Sequence, residues 1–340
     1  MLKILDDEST IRRCQRQLIR ALRPFVTCRI AVKIGHPGES LRVKVSWAGE
    51  PGIWFHTRTI AGDRYRNAFG LGRPPDGGAV SSTIEINVPT GSLDRKIGGA
   101  FAQDDAGRVF LIHRGKIGGR RGVGKFLFEA HYRGVWSEVE DGNTRSAVVV
   151  IGALQSHLFV RQLAQFVRKV DAIKDLGDDD DPQARIFFDD ERFRGEFIGG
   201  RYVHERRDYV AECDRDLAAL DLARRLNDMG ARVGIGPGGE IFTRDPAGQI
   251  SAIFEVAPGA VPADLERGVA RLLLRGVRLP QVPRRILVVP GELGREQNEM
   301  FLKLGIHVIP CAWEEGTAVF DGLEEGDPGR GGRDEKEVPE

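Results

Sequence analysis

The chain is short of the residues that staple a fold or hold a metal. It has four cysteines, at positions 14, 28, 213 and 311 of 340 residues. No two stand at C-x-x-C spacing, which predicts no structural zinc site, and scattered thiols suit a reducing compartment. The seven histidines (36, 56, 113, 131, 157, 204 and 307) form no ligand-spaced set. There is no G-x-S-x-G element, and no cysteine has local company of the kind that makes a nucleophile. No apolar run approaches the roughly 20 residues of a membrane helix. The opening MLKILDDESTIRRCQRQLIRAL has acids and arginines where a secretory signal needs an apolar stretch. The expectation is a cytoplasmic protein with no membrane partner. Net charge is also missing: 50 Lys and Arg balance 50 Asp and Glu. That excludes a uniformly basic protein but leaves room for separated patches.

What is present is ample core material, 41% hydrophobic against 29% charged, enough for two domains of about 150 residues. The charge is uneven along the chain. Residues 108 to 133 carry seven Lys or Arg and one acid, residues 175 to 191 eight acids and one Arg, and residues 313 to 340 ten acids and three bases. Asp6 to Ser9 cap a helix over 7–22 with Ile11, Cys14, Leu18 and Leu22 on one face. CRIAVKI (28–34) and LRVKVSW (41–47) alternate apolar and polar, the period of half-buried strands. Further strands are predicted at 52–58, 82–88, 97–103, 108–113 and 145–151, and a helix at 157–174. These give an α+β, mainly β, first domain over 1–174. An acidic linker over 175–200 follows.

The next stretch, 201–312, reads as a helix (204–229), strands at 231–235, 239–243 and 250–256, and a helix at 262–275. A strand (285–290), a helix (292–304) and a strand (306–310) complete it. An acidic, Gly-rich tail from 313 to 340 is expected to be disordered.

That element order, together with IFEVAP at 253–258, resembles the PD-(D/E)XK superfamily of restriction-endonuclease-like nucleases, in particular its RecB-like branches with a Q-x-x-x-Y helix. The resemblance covers about 200–312 and implies an α/β domain. Such an enzyme needs carboxylates on adjacent strands to hold Mg²⁺. Those positions match Glu240 in PGGEIF and Glu255 in FEVAP. The lysine expected two residues on, on the same strand face, is Ala257. Arg215 stands where these families carry a His or Glu, and Arg271 and Arg275 of ARLLLR replace Gln and Tyr. The resemblance therefore implies a degenerate, inactive site with no cofactor. It points to roles in DNA defence, repair or mobile elements.

Arg267, Arg271 and Arg275 recur at i, i+4 and i+8, one helix stripe. Facing nucleic acid, such a stripe would hold phosphates; otherwise it is a solvated or ion-paired face. In the first domain, GRRGVGKF (119–126) matches the GxxxxGK core of a phosphate-binding loop. However, Phe126 replaces the Mg²⁺-binding Ser or Thr, and the preceding strand reads as part of a hairpin. The segment HRGKIGGRRGVGK suits phosphate contact better: Arg114, Lys116, Arg120, Arg121 and Lys125 are interleaved with five glycines. Phe126, Phe128, His131, Tyr132 and Trp136 follow as rings that would stack on bases or pack into a core.

The main expectation is a binder of DNA or another nucleic acid, with an inactive nuclease-like domain. An active endonuclease would instead hold Mg²⁺ on Glu240 and Glu255, with Asp245 assisting. A protein-interaction scaffold would keep the stripe and the Gly-rich loop ion-paired or covered.

Overall fold

The computed structural model describes residues 1–36, 39–60, 62–91, 94–117, 122–141, 144–175, 208–236 and 239–323. The chain is mixed α and β with sheet predominant, and six α-helices lie among the described residues. Its contacts divide it into two compact units, with a change of unit between 214 and 215.

The first unit runs β1 (Leu2–Ile4), α1 (Glu8–Leu22), a 3₁₀ turn (Arg23–Phe25), β2 (Val26–His36), β3 (Glu39–Ala48), β4 (Ile53–Ile60) and β5 (Arg64–Leu71). The short strands β6 (Ala79–Val80), β7 (Ile84–Glu85) and β8 (Val88–Pro89) follow, then β9 (Gly99–Gln103) and β10 (Val109–His113). It continues through α2 (Lys125–His131), β11 (Trp136–Asp141), β12 (Thr144–Ala153) and α3 (Phe159–Asp175) to the start of α4 (Tyr209–Asp228). Strands β1-β11-β12-β10-β9 close into a barrel, because β1 pairs with both β11 and β9. Leu2, Phe110, Ile112, Val139, Val148 and Val150 fill it. A second sheet has the order β6-β2-β3-β4-β5-β7, with β8 on β5. The β2–β3 hairpin is long and regular, and Ile30, Val32, Ile34 and Val45 from one side of it join Trp54 and Ala68 in a core.

Several expectations are corrected here. The strand expected over 82–88 is two two-residue strands, Ile84–Glu85 and Val88–Pro89. Strand β5, RYRNAFGL, shows no alternation, yet it is buried because its polar groups are matched. Gln15 Nε2 donates to Asn67 Oδ1 at 2.7 Å, and Arg66 pairs with Glu85. Strand β10 pairs antiparallel with both β9 and β12. The strand–loop–helix crossover of a nucleotide-binding loop is therefore absent from the described residues around GRRGVGKF. The linker expected over 175–200 falls outside the described residues beyond Asp175, as do 204–207 of the helix expected over 204–229.

The second unit takes the rest of α4, then β13 (Arg232–Ile235), β14 (Ile241–Arg244), β15 (Ile250–Val256), α5 (Pro262–Val277), β16 (Arg284–Pro290), α6 (Arg295–Lys303), β17 (Ile306–Glu314) and β18 (Thr317–Phe320). Its six strands lie in chain order, β13 to β18. The first three pair antiparallel; β15, β16 and β17 are parallel neighbours, and β18 returns antiparallel. Helices α5 and α6 make the two crossovers that parallel neighbours require. The disordered tail expected from 313 is thus corrected. Its first eleven residues complete β17 and form β18, anchored where the Ala318 amide donates to the buried carboxylate of Asp221 at 3.0 Å. Acidic composition suggested disorder, but a backbone amide meeting a carboxylate 97 positions earlier leaves no local signal. Residues 324–340 lie outside the described set.

Candidate functional site

The β14–β15 ladder brings the two glutamates together. Ile241 pairs with Phe254, and the next step of that antiparallel register sets Glu240 opposite Glu255. Directly opposed like charges on a sheet are unfavourable. Here both side chains are also buried, with relative exposures of 3% and 1%. Something cationic must meet them, since an isolated buried carboxylate is very costly.

Arginine meets them. Arg275 Nη2 lies 2.9 Å from Glu240 Oε2, and Nη1 of the same guanidinium donates to Glu255 Oε2 at 3.1 Å. One planar fork therefore bridges the two acids, a geometry that guanidinium supplies and ammonium does not. Arg271 Nη1 donates to Glu255 Oε1 at 2.7 Å, and Arg215 Nη2 donates to the same oxygen at 3.0 Å. Arg215 also donates through Nε to the Val256 carbonyl at 2.7 Å, which fixes its plane against β15. Helix α5 comes close enough because Gly268 faces the sheet. A Cβ there would stand 2.6 Å from Leu287 Cδ1. The bend before β14 turns on Gly239 at φ +80°, and a Cβ on Gly236 would collide with the Glu240 carboxylate.

The arrangement is a buried ionic cluster of three arginines and two glutamates. It does not suit a divalent cation. The Glu255 oxygens accept three guanidinium bonds, and the carboxylate pair that would bind Mg²⁺ is already bridged by a positive charge. No group of three or more His, Cys, Asp or Glu side chains able to hold a metal occurs among the described residues. Ala257, at the lysine position, is buried in the apolar cluster of Leu265, Val269, Leu272 and Leu287, where an ammonium group would be strongly disfavoured.

The stripe on α5 is thus turned inward at Arg271 and Arg275, while Arg267 lies 3.6 Å from Asp264. Of the loop residues, Lys116 is exposed, Arg114 half-buried, and Lys125 lies 3.7 Å from Glu129. Arg120 and Arg121 fall outside the described residues. The rings are mostly core. Phe128 stacks on Tyr132 at 4.9 Å between centroids, and Tyr132 meets Trp136 and Phe166 edge-on. Only Phe126 of that set is strongly exposed, at 86%. Arg215 entered the sequence reading as a departure from the family pattern, and its role as a partner of Glu255 went unread. The available signal was a cation at a position that faces two acids. Comparison of this chain with family models, with curated proteins and with solved structures gives no match.

Proposed function

We propose that the chain is a non-catalytic nucleic-acid-binding protein, and that its second unit keeps the frame of a PD-(D/E)XK nuclease with arginines in place of the metal. The single observation that carries the loss of catalysis is the Arg275 guanidinium bridging Glu240 and Glu255. The order of helix, three antiparallel strands, crossover helix and parallel strand supports the nuclease-like frame. Cleavage by such a frame depends on a metal-activated water, and a resident guanidinium cannot supply a hydroxide nucleophile at neutral pH.

The test is incubation with supercoiled and linear DNA across a salt series, with Mg²⁺ or Mn²⁺ present. The expected result is binding that weakens with salt while the DNA stays intact. Thermal unfolding should also be unmoved by either ion, whereas a specific metal at a hundredfold excess over its Kd would add about 2.7 kcal/mol. Metal-dependent cleavage lost in Glu255→Ala would overturn the proposal.

A second reading, a protein-interaction scaffold, is favoured by two observations. The α5 stripe is ion-paired rather than offered to solvent, and Leu274 and Val277 near the end of α5 are 68% and 78% exposed. DNA left unbound at low salt would select it.

A further inference from the structure

The sequence reading placed the cations for nucleic acid on the Gly-rich loop and on α5. Among the described residues a further cationic surface lies elsewhere, on the solvent side of the β2–β3 hairpin. Register places Arg29 opposite Ser46, Ala31 opposite Lys44 and Lys33 opposite Arg42. Directly opposed residues share a side of the sheet, and alternate residues along a strand return to it. Arg29, Lys33, Arg42 and Lys44 therefore share one side, and all four are exposed. Cys28, Ile30, Val32, Ile34, Val43, Val45 and Trp47 take the other side and belong to the core. The hairpin is thus held rigidly from behind.

Two features separate this surface from an ordinary solvated sheet face. Lys33 and Arg42 form a like-charge pair directly across the ladder, an arrangement that weakens pairing. Among the described residues, no ion pair joins any of the four cations to an acid. Helix α1 adds to the same side. The partners Ser46–Phe55, Phe55–Phe69 and Thr57–Asn67 carry that side across the sheet to Asn67, which Gln15 of α1 bonds. The outer residues of α1 include Arg13, Arg16 and Arg20, all exposed.

We infer that the outer side of the β2–β3 hairpin docks the phosphodiester backbone of a nucleic acid. The inference rests on the nucleic-acid part of the proposal above and not on whether the second unit cuts. Four cations lie within a patch of backbone about 13 Å by 5 Å, and they present long, flexible donors to phosphates. No aromatic residue stands among the four cations, Ala31 and Ser46 on this side. The contact is therefore to the backbone and is indifferent to sequence.

The experiment compares the full chain with Lys33→Glu/Arg42→Glu and Lys33→Gln/Arg42→Gln by fluorescence anisotropy. The probes are a duplex and a single strand of equal length, followed across a salt series. A third variant, Lys116→Glu/Lys125→Glu, tests the loop. Engaging four phosphates gives a log–log salt slope near −3.6, and neutralising two cations should reduce it by about 1.8. Affinity should fall about tenfold or more in the charge-reversed hairpin variant and by less in the neutral one. The thermal midpoint of Lys33→Gln/Arg42→Gln should hold or rise, because there the like-charge pair has been removed. Duplex and single-strand arms identify which form the hairpin takes.

If the wild type binds DNA, the hairpin variants bind equally well and the loop variant does not, the hairpin inference falls while nucleic-acid binding stands. If the wild type ignores both DNA probes but binds polyglutamate or phosphatidylserine vesicles through the hairpin, nucleic-acid binding itself falls, and this inference with it. A variant that unfolds is replaced by the single Lys33→Gln, and unchanged DNA affinity and salt slope in that variant would also overturn the inference.

Discussion

Glu255→Ala is expected to lower the stability of the second unit by about 3–5 kcal/mol and to leave DNA as intact as the wild type does. The carboxylate is 1% exposed and accepts from Arg215, Arg271 and Arg275. Its removal leaves three guanidinium groups around a cavity with only Glu240, on Arg275, to oppose them, while the desolvation cost is retained. An idle metal site predicts the opposite sign: with no cation bound, deleting one of two opposed buried carboxylates relieves repulsion and raises stability. Urea unfolding decides between them through the midpoint at constant m-value. A double-mutant cycle of Glu255→Ala with Arg271→Ala should give a coupling of about 0.5–3 kcal/mol. A stabilised Glu255→Ala would sink the ionic-cluster account. The intact cluster is not thereby a large net source of stability, since a well-packed apolar replacement of all its members could match it.

The second large effect concerns pH and the first unit. His113 is fully buried between the Phe128 and Phe166 rings and accepts from the Gly115 amide at Nδ1. Burial holds its pKa down at about 4, from an ordinary 6.5. Asp214, whose carboxylate accepts from Gln162 at 2.7 Å, is pushed by burial the other way, to about 6 from 3.8. The signs oppose. Neutral His113 contributes stability above pH 6.5, and this is lost as pH falls towards 4, because the unfolded chain takes up the proton first. Protonated Asp214 contributes stability below about pH 4, and this is lost as pH rises through 6. Across the shared window the two slopes largely cancel in the wild type.

Removing either group should expose the other. Asp214→Asn is expected to lose about 2 kcal/mol more than the wild type between pH 6.5 and 4, the smaller figure reflecting a carboxyl that is partly open to solvent. His113→Gln should gain about 2–3 kcal/mol relative to the wild type on the same acidification, the size of the removed histidine contribution. Unfolding curves at half-unit pH steps measure this. Three parallel stability profiles would show that neither group titrates abnormally.

How much of this was legible depended on where the information lies. The β2 and β3 strands were evident because their alternation is local and uninterrupted. Strand β5 was not, since Arg66 and Asn67 are buried only by virtue of Glu85 and Gln15, and no periodicity encodes such partners. At the site, resemblance pointed to Glu240, Glu255 and the missing lysine at Ala257. Spacing placed Arg267, Arg271 and Arg275 on one stripe, but spacing cannot say which way a stripe turns. The ladder register that opposes the two acids supplies that answer, because two buried carboxylates require the nearest cations. The aromatic run after Lys125 had two readings of equal plausibility, and Phe128 and Tyr132 resolved to the core because α2 turns them onto α3 and β10.

Strand β18 has a practical consequence for anyone who trims this chain. It is the outermost strand of the second unit's six-stranded sheet, and Cys311 to Glu314 of β17 pair along it. A cut at 313, where the acidic composition begins, would strip β17 of its neighbour and leave a row of open backbone donors and acceptors, a template for pairing between molecules. It would also take away the Ala318 amide that Asp221 binds. The acidic segment is better removed after Leu323. The material lost on a shorter chain would be aggregated protein, easily mistaken for evidence that the tail itself confers solubility.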